Sequence, residues 1–313
     1  MPSTQARPRR GLLVLLIVTW AISWPVIKIG VADVPPLWYA CLRYAIATAF
    51  MFAVAAARGE LAWPPRQDWP LVVISGTLQM AAYSALTGSA LTVLPPGRAS
   101  ILAFSTPIWV APLAACWARE FISRATLIGT SLGLLGVLLI AAPSLRAASA
   151  MHASAYAMLI GAALAWAVTI VFVRTHRFAA SALTLAPWQM ALASTLLLGA
   201  AFGLEGAPAR IDRNGALSLA FVGPAATAFA YWAVVEAGRH VRASTMAMAL
   251  LAAPVLGLFI SAATLGESID LALLAGTALI GAGIRLATGP AARRLEPAAA
   301  PDSSPHGSTG RSR

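Results

Sequence analysis

The sequence predicts an all-α integral membrane protein with ten transmembrane helices, arranged as two inverted five-helix repeats. Composition comes first: the 313 residues are 59% hydrophobic and only 11% charged, where a soluble chain carries about 25% charged residues. Apolar stretches of about 20 residues, the length that crosses a bilayer, recur along almost the whole chain. Finally, one segment is written twice. PIWVAPLAACWARE, from Pro107 to Glu120, returns as PVLGLFISAATLGE, from Pro254 to Glu267. Gly129/Gly276, Thr130/Thr277 and Gly136/Gly283 continue the match at a constant offset of 147. Ten of the 30 positions from Pro107 to Gly136 are identical in the second copy. Matches of Ala and Leu carry little in so Ala/Leu-rich a chain, so the weight rests on Pro, Glu and the spaced Gly and Thr. An internal repeat in an apolar chain is the mark of a transporter built from two related halves.

The expected spans fall at 11–31, 37–57, 70–92, 99–118 and 125–142, then at 154–173, 183–203, 215–236, 243–264 and 271–288. Residues 1–10 form a cytoplasmic N-terminus, 11–142 the first repeat, 143–153 a linker and 154–288 the second repeat. The tail 289–313, rich in Pro, Ala and Ser, is expected to be a disordered cytoplasmic segment. The first span has the look of a signal peptide, with Arg7, Arg9 and Arg10, the run LLVLLIV and then Ala21-Ile22-Ser23. Trp20 and Trp24 flank that site, however, and cleavage would leave nine spans and unequal halves. The segment is therefore read as a retained anchor.

The net charge of +11 does not point to nucleic acid, because the basic residues sit in alternate loops. With the N-terminus inside, the cytoplasmic segments hold fifteen Arg, and the opposite side holds Arg98, Arg146, Arg210 and Arg213. Lys28, Arg43 and Arg285 remain in or near spans. The positive-inside rule then places both termini in the cytoplasm. Five spans per half is an odd number, so the second half enters the membrane in the opposite direction. Such halves are related by a pseudo-twofold axis in the membrane plane, with the substrate site between them and access alternating by rocking.

The Trp-rich first span running to Lys28 (TWAISWPVIKIG), the LRYAIA of the second from Leu42 to Ala47, the duplicated Pro-to-Glu segment with its glycine-rich sequel, and GAALAWAVTIVFVR at 161–174 together resemble the EamA-type transporters of the drug/metabolite transporter superfamily. The resemblance covers residues 11–288. It implies the ten-helix fold, an inner-membrane location, export of a small metabolite such as an amino acid or related compound, and a central cavity beside the third and eighth helices. Two departures stand out. Ala21 occupies a place where the family often has Gly, and the second half holds no counterpart of Arg43. The motif is specific for the fold and nearly silent on substrate.

Candidate site residues follow from the rule that intramembrane polar groups need partners or a wet cavity. Trp20, Trp24 and Lys28 recur at intervals of four on the first span. Arg43 lies about two turns into the second, on a face with Tyr39. A basic pair of this kind suits an anionic or carboxylate group on the substrate; the competing reading is that both long side chains snorkel to the outer interface, with Asp33 pairing Lys28. Ser75, Gln79, Tyr83 and Thr87 form a polar stripe at spacing four on the third span, and Thr227 and Tyr231 do the same on the eighth. Trp109 and Trp166 join Trp20 and Trp24 as aromatics deeper than an interfacial belt requires. Pro25, Pro107, Pro112 and Pro254 are expected to kink their helices. Glu120 and Glu267 close the duplicated motif, and their simplest role is to bond backbone or basic groups at the two interfaces. Glu236 has Ser89 as its counterpart, and it is either the ion-pair partner of Arg239 at i+3 or a proton-coupling carboxylate.

Enzyme chemistry finds no footing in these residues. His152, His176, His240 and His306 fall in loops or the tail without HExxH spacing. There is no Gly-x-Ser-x-Gly elbow and no Gly-Lys-Ser/Thr phosphate loop. Cys41 and Cys116 both lie in spans and read as small packing residues rather than a disulfide. No cofactor or metal is expected; the partners are the bilayer, a small-molecule substrate and, as coupling ion, the proton. The functional reading is a secondary exporter, with uptake or exchange as its transport alternative and a lipid-acting membrane enzyme as its rival in another class. Reporter fusions after residues 62, 122 and 292 are expected to report cytoplasm, and fusions after 96 and 208 the outside. A C-terminus on the outer side would contradict the inverted arrangement.

Overall fold

In the computed structural model, the described residues (6–118, 123–146, 150–207, 210–238 and 243–288) are helical with short connections, and no strand occurs among them. Side chains of 6–10, 118, 143–146, 235–238, 243–251 and 288 lie outside the description. The helices are α1 (Ala6–Asp33), α2 (Pro36–Ala57), α3 (Arg66–Val93), α4 (Pro96–Ala103 and Thr106–Ala118) and α5 (Arg124–Arg146). Then follow α6 (Ala150–Thr175), α7 (Ala182–Leu204), α8 (213–238), α9 (Ala243–Leu265) and α10 (Leu271–Thr288). Among the described residues, eight helices are long and apolar enough to cross a membrane, and the apolar stretches Ala252–Leu265 and Leu271–Ala287 of the last two are shorter. By helical rise the 18 residues of α10 reach about 27 Å, close to the ~30 Å of a hydrocarbon core.

The offset of 147 seen in the sequence returns in the backbone. The middle of α3 widens to a π-helix over Ser75–Ala82, and the middle of α8 does so over Val222–Phe229, 147 residues later at both ends. Gly59 and Gly206, also 147 apart, end α2 and α7 with φ of 67° and 80°, a left-handed turn that glycine adopts without a Cβ clash. Helix pairings show the same exchange. α5 packs on α10 and α2 on α7; α1 lies on α9 as α4 lies on α6, and α3 lies on α6 as α8 lies on α1.

Proline acts differently in the two copies of the duplicated motif. Pro107 has no N–H and its ring crowds the carbonyl four residues back, and α4 breaks at Phe104 and Ser105 just ahead of it. Pro254 instead sits inside the unbroken α9, as Pro25 and Pro112 sit inside α1 and the second piece of α4. The break lets Phe104 turn toward the centre of the molecule. Ser105 and Thr106 settle their hydroxyls on the carbonyls of Leu102 and Ala103, at 2.6 and 3.0 Å.

Carboxylates from one half of the sequence satisfy helix starts in the other. α2 and α4 both begin at a proline pair, Pro35-Pro36 and Pro95-Pro96, a favoured first-turn residue. The N–H groups of Leu37 and Trp38 donate to Glu205 at 2.9 and 3.0 Å. Those of Gly97 and Arg98 donate to Glu267 at 2.8 and 3.0 Å, an arrangement favoured by the helix dipole. At the start of α7, Asp68 accepts from the N–H groups of Ala179 and Ala180, and Ser181, the N-cap of α7, donates to Glu60 at 2.6 Å. Arg98 also donates to Asp270 at 2.6 Å. Burial raises the Asp270 carboxyl, but the Leu273 N–H and the Arg98 guanidinium outweigh that and hold it below the usual carboxylate range.

The closest helix contact is the crossing of α5 on α10, made on backbone rather than side chains. A Cβ on Gly283 would stand 2.5 Å from the Gly129 carbonyl oxygen, and one on Gly136 would stand 2.6 Å from that of Gly276. Small residues allow this approach in a bilayer, where association rests on packing. Gly199 and Gly203 on α7 stand four apart, as Gly129 and Gly133 do on α5, but a Cβ at Gly199 or Gly203 meets nothing within 4 Å. Gly283→Val is therefore expected to lower the thermal midpoint in detergent, at an overpacking cost of about 1–3 kcal/mol. Gly199→Val should leave it unchanged.

Candidate functional site

Between the two halves lies a cavity of about 140 Å³, close to the size of an engineered apolar cavity that holds a benzene-sized ligand. α1 contributes Trp20, Ser23, Trp24 and Ile27; α2 contributes Arg43 and Tyr44; α3 contributes Gln79, Met80, Tyr83 and Thr87. Phe104, Trp166, Met190, Ala226, Thr227, Tyr231 and Val234 bring in α4, α6, α7 and α8. Four pairs of wall residues stand 147 apart: Arg43 and Met190, Gln79 and Ala226, Met80 and Thr227, Thr87 and Val234. Equivalent positions of the two halves thus face the same space. Both π-helical segments lie in its wall.

Arg43 sits seven residues into α2, about 10 Å by helical rise. Its Nε donates to Thr227 Oγ1 at 2.6 Å, and its guanidinium carbon lies 5.4 Å from the centre of the Tyr44 ring. Its polar partner is thus on α8, in the other half of the sequence. Thr227 in turn donates to the carbonyl of Val222, five residues back, at 2.8 Å. That bond follows the wide turn of the π-helix, whose register leaves carbonyls for side-chain donors. The neighbouring carbonyl of Ala226 accepts from Trp20 Nε1 at 3.2 Å. Among the described residues no carboxylate meets Arg43, whereas Arg98 is paired with Asp270.

Aromatic rings make the rest of the wall. Trp20, Phe104 and Trp166 meet edge to face with centroids 5.9–6.3 Å apart, and Tyr83 meets Trp166 at 5.1 Å, within the range favoured for such pairs. Trp24 joins through Phe104 at 6.2 Å. Tyr231 donates to Gln189 at 2.7 Å, and Tyr44 accepts from Ser84 at 3.2 Å. Ser23 and Thr87 donate to carbonyls of their own helices, those of Trp20 and Tyr83, both at 2.7 Å. The cavity is an apolar, aromatic box with one cation at its side.

The sequence matches the EamA-like transporter family twice, over residues 10–142 and again over 153–289. The chain belongs to that family. An EamA-like chain of this kind is a multi-pass membrane protein and a transporter. Curated relatives span nearly its full length. A probable amino-acid metabolite efflux pump of Salmonella typhimurium is 29% identical over 87% of this chain and 92% of its own. A probable terminal-alkyne amino-acid exporter of Streptantibioticus cattleyicolor is 26% identical over 88% and 91%. An uncharacterized transporter of Bacillus subtilis is 27% identical over 86% and 88%. A solved crystal structure of 25% identity superposes with a TM-score of 0.61, covering 93% of this chain and 99% of the other.

Within this EamA-like fold, Trp20, Trp24, Arg43, Gln79, Tyr83, Trp166 and Tyr231 converge on the cavity. Lys28 and Trp109 are not among its walls. The Lys28 ammonium donates to the carbonyls of Leu91 and Thr92 at 2.6 and 3.4 Å, at the C-terminal end of α3, where a cation complements the helix dipole. Trp109 turns its indole N–H to Ser105 of its own helix at 3.3 Å. Glu267 is occupied with the start of α4 and with Ser261. Glu120 and the side chain of Glu236 lie outside the described residues. Phe104, Tyr44 and Met190 were not singled out from the sequence. Tyr44, beside Arg43, was the legible one of the three; Phe104 depends on the break that Pro107 imposes.

Proposed function

We propose that this EamA-like protein is a secondary exporter of the bacterial inner membrane that moves a small, carboxylate-bearing metabolite through the central cavity by alternating access. The observation that carries this reading is Arg43, a guanidinium inside an apolar span that faces the cavity with no carboxylate partner among the described residues. An intramembrane charge is costly and normally answers to a partner, a pathway or a ligand. The relatives named as amino-acid metabolite or amino-acid exporters support both the direction and the size of the cargo.

The transport cycle in this proposal rests on two inverted five-helix repeats, residues 11–142 and 154–288 joined by 143–153, with ten spans and both termini in the cytoplasm. The paired π-segments, the pairwise exchange of helix contacts and the four cavity pairs at offset 147 support that arrangement. Odd-numbered repeats rocking about a shared axis would expose the same wall to each side in turn. The sequence carries no phosphate-binding loop, so uphill export draws on an ion gradient. The proton is the proposed ion and Glu236 the proposed titrating group.

Comparing metabolites in the medium of cells lacking and overproducing the protein identifies the cargo. Arg43→Ala at equal membrane abundance is expected to bring export of that compound to background. Losing one charge-assisted hydrogen bond, about 1.5–3 kcal/mol, corresponds to roughly ten- to hundredfold in affinity. Full export by the variant would end the role given to Arg43.

A further inference from the structure

The charge balance of the cavity wall names the cargo more narrowly. We infer that the cavity selects a monocarboxylate with an apolar or aromatic body and no free amine, and discriminates against both the matching amino acid and the matching amine. The inference rests on the transport reading above.

Among the described residues of the wall, Arg43 is the charged one. Its Nε is held by Thr227, which leaves the outer N–H groups of the guanidinium fork for a ligand, in the geometry that grips a carboxylate through two parallel bonds. A monoanion brings the occupied cavity to zero net charge. A zwitterion leaves it at +1, and an amine raises it to +2. Inside an apolar shell each unbalanced charge is penalised by lost hydration, so the acid is favoured, the amino acid follows and the amine comes last. Gln79 adds the one side-chain amide of the described wall.

The body of the cargo is set by the rings. Trp20, Phe104, Trp166 and Tyr83 form a continuous edge-to-face cluster in the same wall. It offers an apolar ring the offset or edge contacts that aromatic groups prefer. Most hydroxyls nearby are already committed: Thr227 donates to Val222, Thr87 to Tyr83, Ser23 to Trp20 and Tyr231 to Gln189, which leaves the Tyr44 and Tyr83 hydroxyls to donate. A sugar or polyol would find few donors free to meet its oxygens. An aryl- or alkyl-alkanoate, or an amino acid whose nitrogen is acylated, meets both parts of the wall.

Three probes of one shape separate the alternatives: 3-phenylpropanoate, phenylalanine and 2-phenylethylamine, titrated calorimetrically into the full-length protein in lipid nanodiscs. The acid is expected to bind about tenfold or more tighter than the amino acid, and the amine to give no heat. Arg43→Gln should lose the acid. Arg43→Lys, which keeps the charge, should bind the acid more weakly but preserve the order, and elution as a single folded species controls for both variants. Phenylalanine binding as tightly as the acid, with that binding lost in Arg43→Gln, would overturn the inference and leave the cavity's transport role standing. No binding by any of the three, or acid binding untouched by Arg43→Gln, would overturn both.

Discussion

One cation inside an apolar span sets the terms for the centre of this molecule. Arg43 stands about 10 Å into an apolar span, where a guanidinium facing lipid would be expensive. The chain meets that cost by drawing Arg43 to Thr227 of the opposite half and surrounding it with aromatic rings. Thr227 presents its oxygen from a π-helical turn, whose altered bonding also supplies the carbonyl that receives Trp20. The irregular backbone therefore lies where it lines a cavity, the one setting in which a bilayer tolerates it.

The scaffold is nearly symmetric and the site is not. Helix ends, π-segments and cavity-facing positions recur at an interval of 147 residues. Yet the counterpart of Arg43 is Met190, and that of Gln79 is Ala226. The first half supplies charge and amide, and the second supplies small and apolar surface at the matching places. A duplicated frame brings matching positions of the two copies to one cavity with different side chains. The carboxylates at the helix starts reinforce this division. Glu205 and Glu267 tie the second half to α2 and α4, and Asp68 and Glu60 tie the first half to the start of α7. Glu205, Glu267 and Asp68 satisfy backbone N–H groups at or just ahead of helix starts, and Glu60 holds the Ser181 hydroxyl that caps α7.

Much of this was legible before any coordinates. The Pro-to-Glu duplication, the alternation of Arg between loops and the length of the apolar runs already specified a helical, duplicated membrane protein. Arg43, Trp20, Trp24, Gln79 and Tyr83 were recoverable because charge, amide and indole groups are conspicuous in an apolar span. What the sequence concealed follows from backbone geometry. Phe104 reaches the cavity through a helix break that Pro107 produces and Pro254, its repeat mate, does not. Lys28 looked like a partner of Arg43, but its ammonium is taken by the carbonyls of Leu91 and Thr92 at the end of α3. Glycine spacing on α7 resembled that on α5, and only the positions of neighbouring helices separate the two.

The central claim is that the charge of Arg43 is answered by the cargo. A high-resolution structure of the protein in lipid, with the exported compound bound, tests it most directly. The account predicts a carboxylate of the ligand within hydrogen-bond distance of the Arg43 guanidinium, with the body of the ligand against Trp20, Phe104 and Trp166. A ligand seated elsewhere, or Arg43 paired with a protein carboxylate while the ligand is bound, would contradict it.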